Sequence, residues 1–244
     1  MRIGTIIQAR TTSTRLPGKV LKLLPYFGSL TVLQQVIRRS MKSKKSADII
    51  IATTKDKEDD AIIKLCDKEE VKWFRGDKDN VLQRYYLTAK ENNLDMIIRI
   101  TSDCPCIDAN IIDMTVEKHI NLKAEYTSTL GFPRGLGVEV LSFDTLEKAY
   151  KEARYAFEKE HVSPYIYRTN RKVFKIHSFG APDELAFPEI RVTLDTEEDY
   201  TLLCALFDYL YAKNEYFNAY DIVSLFKKKP WLKFINKKVV QKTI

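Results

Sequence analysis

The sequence is poor in the residues that build metal clusters and disulfide frameworks. It has 244 residues, with four cysteines and three histidines. The closest thiols are Cys104 and Cys106, and their one-residue spacing, without a second pair, does not match zinc ligands. Cys66 and Cys204 stand alone. The pattern therefore favours reduced, mostly buried thiols in a reducing compartment.

Long apolar runs are also missing. No run approaches the roughly 20 residues that a membrane-spanning helix needs. The N-terminus has one arginine and a short apolar run that ends in a charge, which does not match a signal peptide. Hydrophobic residues make up 45% of the chain and charged residues 30%, enough for a substantial core. We expect a cytoplasmic protein with one domain over residues 1–244 and no membrane span.

Two common enzyme motifs are absent. The Gly-x4-Gly-Lys-Ser/Thr phosphate loop is missing, which disfavours a P-loop NTPase. His161 has no Ser/Asp partner pattern of a hydrolytic triad. The net charge of +7 would suit either nucleic acid or a polyanionic small molecule. Because the basic runs 42–45, 227–229 and 237–242 contain few aromatic residues, we interpret them as solvated surface and expect no nucleic-acid partner.

What the chain does contain is an alternation of apolar strands and amphipathic helices. The predicted strands are residues 2–8, 48–52, 71–75 and 96–100. The predicted helices are residues 30–43, 56–69, 80–92 and 107–120. This alternation predicts an α/β fold with a mostly parallel, Rossmann-like sheet and helices on both faces.

The pattern changes beyond the fourth helix. Predicted strands at 125–129, 139–142 and 172–179 surround a predicted helix at 143–157. We therefore interpret residues 124–190 as a small mixed α+β insertion. A predicted strand at 190–195 and helices at 196–213 and 219–227 complete the chain.

The loop Gln8–Lys19 follows the first predicted strand and carries three cations. Arg10, Arg15 and Lys19 can neutralise a polyphosphate, and Gly18 lets backbone N–H groups approach it. From charge pattern alone, an ordinary exposed loop is an equal alternative. Ligands of such folds bind at the carboxyl ends of the strands, where this loop lies.

Two aspartates occupy similar positions. Asp103 follows the predicted strand 96–100, and Asp195 ends the predicted strand 190–195. Two carboxylates at neighbouring strand ends can hold one Mg²⁺ against a phosphate. As alternatives, Asp195 caps the following helix, and Asp199 is a weaker candidate ligand.

The segment from Gln8 to Lys19, Q-A-R-T-T-S-T-R-L-P-G-K, resembles a motif of the CMP-sugar-acid synthetases. Its details are most similar to the spore-coat polysaccharide cytidylyltransferase-like branch of that family. Shorter blocks follow in the same order at residues 51–54, 75–84, 99–105, 160–164 and 191–199. Ser102 and Cys106 replace a glycine and a leucine of the branch's common block.

The resemblance implies a nucleotidyltransferase fold of the GT-A-like type and a Mg²⁺-dependent transfer of CMP from CTP to an acceptor, releasing pyrophosphate. It implies that Arg10, Arg15, Lys19 and Asp103 are catalytic, and that Asp103 and Asp195 hold the metal. The implied nucleotide-binding residues are Gln8, Ala9, Arg10, Arg15, Gly18, Lys19, Ala52, Thr53, Arg75, Gln83, Thr101 and Ser102. The implied acceptor-binding residues are Glu139 and His161.

The acceptor itself is left open. A sugar acid, a sugar phosphate, a polyol phosphate or a phosphonate fits the resemblance, in the synthesis of surface polysaccharide or glycoconjugate precursors. The resemblance also implies a homodimer, with residues 124–190 forming the acceptor-binding and dimerisation region. The alternative is a nucleotide-sugar glycosyltransferase, but the second aspartate of an Asp-x-Asp metal motif is missing beside Asp103.

Overall fold

The computed structural model describes residues 1–240 and contains one seven-stranded sheet. The strands are β1 (Ile3–Gln8), β2 (Asp48–Thr54), β3 (Lys72–Gly76), β4 (Met96–Thr101), β5 (Tyr126–Leu130), β6 (Glu139–Ser142) and β7 (Ile176–Gly180). Their order is β3-β2-β1-β4-β6-β5-β7. The first four strands are parallel, β6 runs antiparallel to both β4 and β5, and β7 is parallel to β5. The predicted α/β class with a mostly parallel sheet is confirmed.

Helices cover both faces of the sheet. They are α1 (Val32–Ser40), α2 (Asp60–Lys68), α3 (Val81–Glu91), α4 (Ala109–Asn121), α5 (Phe143–Glu152), α6 (Ala156–His161), α7 (Glu197–Leu210) and α8 (Ala219–Lys228). Short 3-10 turns lie at Lys19–Leu21, Lys57–Asp59, Asp183–Leu185 and Pro230–Phe234, and a π-helical turn at Tyr165–Thr169. Side chains of Thr31, Asn80, Thr196 and Asn218 accept backbone N–H groups at the starts of their helices, which fixes where those helices begin.

Adjacent residues of a strand pack into hydrophobic cores on opposite faces of the sheet. Ile7 belongs to the hydrophobic cluster on one face of the sheet and Ile6 to the cluster on the other. Ile51 and Ile50 of β2 divide in the same way. Since both faces are buried, the strands are continuously apolar rather than alternating.

The register places the ends of β1 and β4 level with each other, and β2 extends two residues further. Gln8 at the end of β1 pairs with Ala52 of β2 and with Thr101 of β4. Beyond the strands, the N–H of Ser102 donates to the Gln8 carbonyl at 3.1 Å. The loops after β1 and β4 therefore start side by side at the carboxyl edge of the sheet.

The predicted strand at 190–195 is wrong. Its hydrogen bonds go to loops: Val192 N–H donates to Arg134 O and Leu194 N–H to Asp103 O, both at 2.8 Å. Gly135, with φ +103°, allows this close packing, because a Cβ there would lie 2.8 Å from the backbone of Val192. The segment is apolar because it is buried under these loops, not because it belongs to the sheet.

The predicted helix 143–157 is also wrong, because the chain breaks it into α5 and α6. The Glu158 carboxylate accepts N–H groups of Arg154 and Tyr155, so a new helix starts after Tyr155. Residues 124–190 contribute three strands to the common sheet, and their acceptor-binding and dimerisation roles stay predictions. The last two residues of the basic run 237–242 lie outside the described residues. Across residues 1–240, no helix has the length and hydropathy that a membrane crossing requires.

Candidate active site

The loop after β1 folds around Thr11. The Thr11 carbonyl accepts the N–H groups of Ser13 at 3.0 Å and Gly18 at 2.9 Å. Gly18 adopts φ +66°, in the left-handed region that favours glycine, and a 3-10 turn begins at Lys19 directly after it. This turn sends the Lys19 side chain back toward the end of β4.

A buried carboxylate fastens this loop to the sheet. Asp59 accepts the N–H and the hydroxyl of Thr11, both at 2.7 Å, and the hydroxyl of Thr54 at 2.5 Å. Asp59 is fully buried, and although burial alone would raise its pKa, these hydrogen bonds hold the pKa below its ordinary value. The carboxylate therefore stays ionised and ties the start of the loop to the end of β2.

Lys19 joins the two predicted metal ligands. Its Nζ donates to Asp103 Oδ2 at 2.8 Å, to Asp195 Oδ1 at 2.9 Å and to the Leu194 carbonyl at 2.6 Å. Burial pulls the pKa of Lys19 down, but the two carboxylates outweigh it and the pKa stands above its ordinary value. All three N–H donors of the ammonium group are in use.

Asp195 lies at the centre of a larger ionic cluster. Arg15 approaches its Oδ1 at 3.0 Å, and Arg191 donates to its Oδ2 at 2.8 Å. Arg191 also donates to Asp199, which is fully buried and accepts the N–H groups of Asp195 and Thr196. Asp199 is thus an anchor beneath the cluster, and Thr196 rather than Asp195 is the N-cap of α7.

Asp103 is oriented by its own neighbours. The Thr101 hydroxyl donates to Asp103 Oδ1 at 2.6 Å, which leaves Oδ2 directed at Lys19. The adjacent Cys104 is half-buried and Cys106 is buried, and burial raises the pKa of each thiol to about 12. Both thiols stay protonated near neutral pH, so neither is suited to be a nucleophile.

The two carboxylates fit a divalent cation chemically. Asp103 and Asp195 each place one oxygen within 2.9 Å of the same ammonium group, so both already point at one cation. Oxygen atoms are the ligands that Mg²⁺ prefers, usually with few of them from protein. No cluster of three or more His, Cys, Asp or Glu suited to a metal occurs among residues 1–240. Phosphate or water oxygens would have to complete the coordination.

Behind the cleft lies a second ionic pair. Arg99 of β4 donates to Glu139 of β6 at 3.1 Å and to the Gln8 side chain at 3.2 Å. The Ser163 hydroxyl donates to the other Glu139 oxygen. Burial lowers the pKa of Arg99, but Glu139 outweighs that and holds the pKa above its ordinary value. Both oxygens of Glu139 are therefore engaged inside the protein.

A strained turn carries His161 at the end of α6. The next residue, Val162, is fully buried and adopts φ 72° and ψ −61°, unusual for a β-branched side chain. Such a conformation costs about 1–3 kcal/mol and persists only where the surroundings enforce it. The hydrogen bond from Ser163 to Glu139 supplies one such constraint. Burial lowers the pKa of His161.

These elements enclose a cavity of about 260 Å³ at the carboxyl edge of the sheet. Ten predicted site residues line it: Gln8, Ala9, Arg10, Arg15, Lys19, Thr101, Ser102, Asp103, His161 and Asp195. A second cavity, of about 440 Å³, shares Arg10 and Glu160 with it. A larger cavity of about 550 Å³ near Arg134 and Lys233 involves the C-terminal segment and neither predicted metal ligand, so we place the site in the cleft.

Six other predicted residues do not line the cleft of the described chain: Gly18, Ala52, Thr53, Arg75, Gln83 and Glu139. Arg75 donates to the carbonyls of Thr54 and Asp56 and to the Asp60 carboxylate. Gln83 contributes its backbone N–H to the cap of α3. Their predicted ligand contacts stay predictions.

Sequence reasoning missed Arg84, which lines the cleft one position after Gln83. It also missed the anchors Asp59 and Arg99. A signal for Arg84 was present, because its charge falls between Leu82 and Tyr85 on the buried side of α3. A charged residue at such a position needs either a partner or a function.

Comparison with known proteins gives a consistent result. A model of the cytidylyltransferase family matches residues 5–223. An uncharacterised protein of Methanocaldococcus jannaschii is 41% identical over 243 residues, covering 100% of this chain and 98% of that protein. The spore coat polysaccharide biosynthesis protein SpsF of Bacillus subtilis is 33% identical over 227 residues, covering 92% and 94%. The structure of a cytidylyltransferase from Leptospira borgpetersenii superposes with a TM-score of 0.88 at 34% identity, covering 99% and 100%.

Proposed function

The chain belongs to the cytidylyltransferase family and is a CTP-dependent nucleotidyltransferase; from that premise we propose that it transfers CMP to a sugar-related acceptor and releases pyrophosphate. The observation that carries the proposal is the convergence of loop cations and carboxylates in one cleft. Arg10, Arg15 and Lys19 line it together with Asp103 and Asp195.

In the proposed reaction, an acceptor oxygen attacks the α-phosphorus of CTP in line with the departing pyrophosphate. Arg10, Arg15 and Lys19 stabilise the negative charge that builds up on the leaving group. The protein supplies no covalent intermediate. It holds the reacting atoms in line and keeps charges fixed around them, which is enough to carry such a transfer.

Asp103 and Asp195 are the proposed ligands of Mg²⁺, which would neutralise charge on the phosphates when bound. Lys19 has to leave at least one carboxylate before it can donate to a phosphate oxygen, since its three donors are in use. Arg191 and Asp199 keep Asp195 oriented during that exchange.

The proposed acceptor is a sugar acid, a sugar phosphate, a polyol phosphate or a phosphonate. The name of the SpsF relative, a polysaccharide biosynthesis protein, supports a sugar-related acceptor. His161 and Glu160 line the cleft from α6, inside the mixed region, and are the proposed contacts to it. A homodimer built through residues 124–190 is part of the proposal.

Pyrophosphate release from each of the four nucleoside triphosphates, with a panel of these acceptors, tests the proposal. We expect release from CTP alone, dependent on Mg²⁺ and on one acceptor class. Asp103→Asn should remove it, whereas Asp113→Asn, which alters a carboxylate near Ser43 and Lys44, should not. Full metal-dependent turnover by Asp103→Asn would contradict the proposed metal site, and sugar transfer without pyrophosphate would contradict the reaction.

A further inference from the structure

Four arginine side chains of this protein are largely withdrawn from solvent, and three of them are well partnered. Arg191 pairs with Asp195 and Asp199, and Arg99 pairs with Glu139. Arg39, which is 3% exposed, donates to the carbonyls of Ile107, Glu215 and Phe217 and stacks on the Phe217 ring. In each case a buried guanidinium is compensated by carboxylates or by several carbonyl groups, as burial of a charge requires.

Arg84 is the exception. It is 2% exposed, yet the one hydrogen bond it makes to the described residues runs from Nη1 to the Asp77 carbonyl at 3.2 Å. Its Nε is buried without a partner, as is the Nε of Arg99, but unlike Arg99 it forms no ion pair with a carboxylate of residues 1–240. Burial lowers its pKa, and the like charge of Arg10 lowers it further. Because a guanidinium stays protonated in proteins, the free protein retains this poorly compensated charge.

The position of Arg84 shows where compensation can come from. Arg84 and Arg10 both line the cleft, on the side of Asp77 and Asn80. Lys19 and Arg15 instead pair with Asp195. A negative charge between Arg10 and Arg84 would relieve the repulsion between these two cations and satisfy the free donors of Arg84.

We propose that Arg84 is a phosphate-binding residue, which with Arg10 holds a phosphate of the bound nucleotide. This inference rests on the proposed function, since it takes the cleft as the nucleotide site. In the free protein the charge of Arg84 is offset only by carboxylates that do not pair with it, Asp59 and Asp77, and a bound phosphate would balance it directly. Arg84 thereby extends the grip on the phosphates from the loop after β1 to helix α3.

The experiment compares Arg84→Met with Arg39→Met, a matched replacement of a second buried arginine away from the cleft. Thermal unfolding is measured for the free proteins and with CTP or cytidine, and affinities are measured by calorimetry. For Arg84→Met we expect an unchanged or higher melting temperature of the free protein, because a poorly compensated buried charge is removed. We expect its affinity for CTP to fall by about 30-fold or more, with cytidine binding little affected.

The control should behave in the opposite way. Arg39→Met leaves three carbonyl groups without their donor, so it should lower the melting temperature and leave nucleotide affinity unchanged. Arg84→Lys, which keeps the charge but not the planar fork, should fall between wild type and Arg84→Met in CTP affinity.

The outcomes separate the inference from the function it rests on. If Arg84→Met melts lower, as Arg39→Met does, while CTP stabilises it as strongly as wild type, Arg84 is structural and the inference is overturned alone. An equal loss of affinity for cytidine and CTP also overturns the phosphate assignment. If CTP does not stabilise the wild-type protein, the proposed function fails and takes the inference with it.

Discussion

The ionic cluster in the cleft and the Arg99–Glu139 pair behind it contain similar charged groups but differ in how many cations each carboxylate contacts. In the cleft, Asp195 contacts Lys19, Arg15 and Arg191, and its side chain is 14% exposed. Behind it, the two oxygens of Glu139 accept from Arg99 and Ser163, and Glu139 has no second cation partner among residues 1–240. A carboxylate with several cations can exchange one of them for a ligand. A carboxylate with one cation loses its compensation if that cation moves.

The difference shows what each group is for. In the proposed function, the ionic cluster in the cleft holds its charged groups in position and exchanges some of their contacts for contacts to phosphates. The pair of Arg99 and Glu139 fixes β4 to β6 and, through Ser163, supports the strained turn that carries His161. Activity should therefore be sensitive to the first region and folding stability to the second.

The largest effect is expected from Lys19→Met. Turnover of CTP should fall by about 10²–10³-fold, because a cation that faces the phosphates is removed. In the free protein, Mg²⁺ or Mn²⁺ affinity should rise, because the ammonium that occupies both carboxylates is gone. Pyrophosphate release and calorimetric metal titration measure the two effects. Lys22→Met, which removes a nearby lysine paired with Glu197, is the control and should change neither turnover nor metal affinity. A lower metal affinity in Lys19→Met would contradict the proposal that a metal ion replaces Lys19 at the two carboxylates.

The second expected effect is a loss of folding stability at low pH, caused by the buried side chain of His119. His119 is 2% exposed beside the Thr127 hydroxyl, and burial lowers its pKa to about 4. Between pH 6.5 and 4 the unfolded chain therefore binds a proton that the folded chain does not. Stability is greatest above this window and should fall by up to about 3 kcal/mol as the pH drops through it. Urea unfolding across this range measures the slope, and an unchanged slope in His119→Gln would show that another group causes it.

A smaller loss of stability is expected from Glu139→Gln. The substitution leaves Arg99 without a full counter-charge and should lower the free energy of unfolding by about 2 kcal/mol. Chemical denaturation measures it. Glu147→Gln, which alters an exposed pair with Lys151, is the matched control and should leave stability nearly unchanged. Equal effects of the two substitutions would remove the distinction between buried and exposed pairs.

The smallest effect is expected at two helix caps. Thr196→Ala and Asn218→Ala each remove the capping side chain of a capping box and should cost about 1 kcal/mol of stability. Thr196 adjoins Asp195, so its loss should also weaken CTP binding, whereas Asn218 caps α8 and its loss should not. Unfolding curves and CTP titrations of the two variants measure this. If both variants bind CTP like wild type, the position of Asp195 does not depend on the cap.

Much of the fold was predictable because its signals are local. The apolar run of β1 and the helical spacing of α1 and α3 reflect burial on fixed faces. The strand predicted at 190–195 was wrong, because burial beneath a loop and burial in a sheet produce the same apolar pattern. The helix break at Arg154 and Tyr155 was not predicted, because it depends on where the Glu158 side chain folds back.

The candidate site also combines features that the sequence predicts with features that only the tertiary structure shows. Sequence order and residue type alone placed the loop of Arg10, Arg15 and Lys19 at a strand end, and the family match confirms the predicted class of enzyme. Only the tertiary structure decided which groups are partnered. It engaged both oxygens of Glu139, placed Lys19 between two aspartates, and left Arg84 buried with a single carbonyl acceptor. Hydrogen bonds and charge compensation depend on distances between residues far apart in the chain, and these distances exist only once the strands have come together.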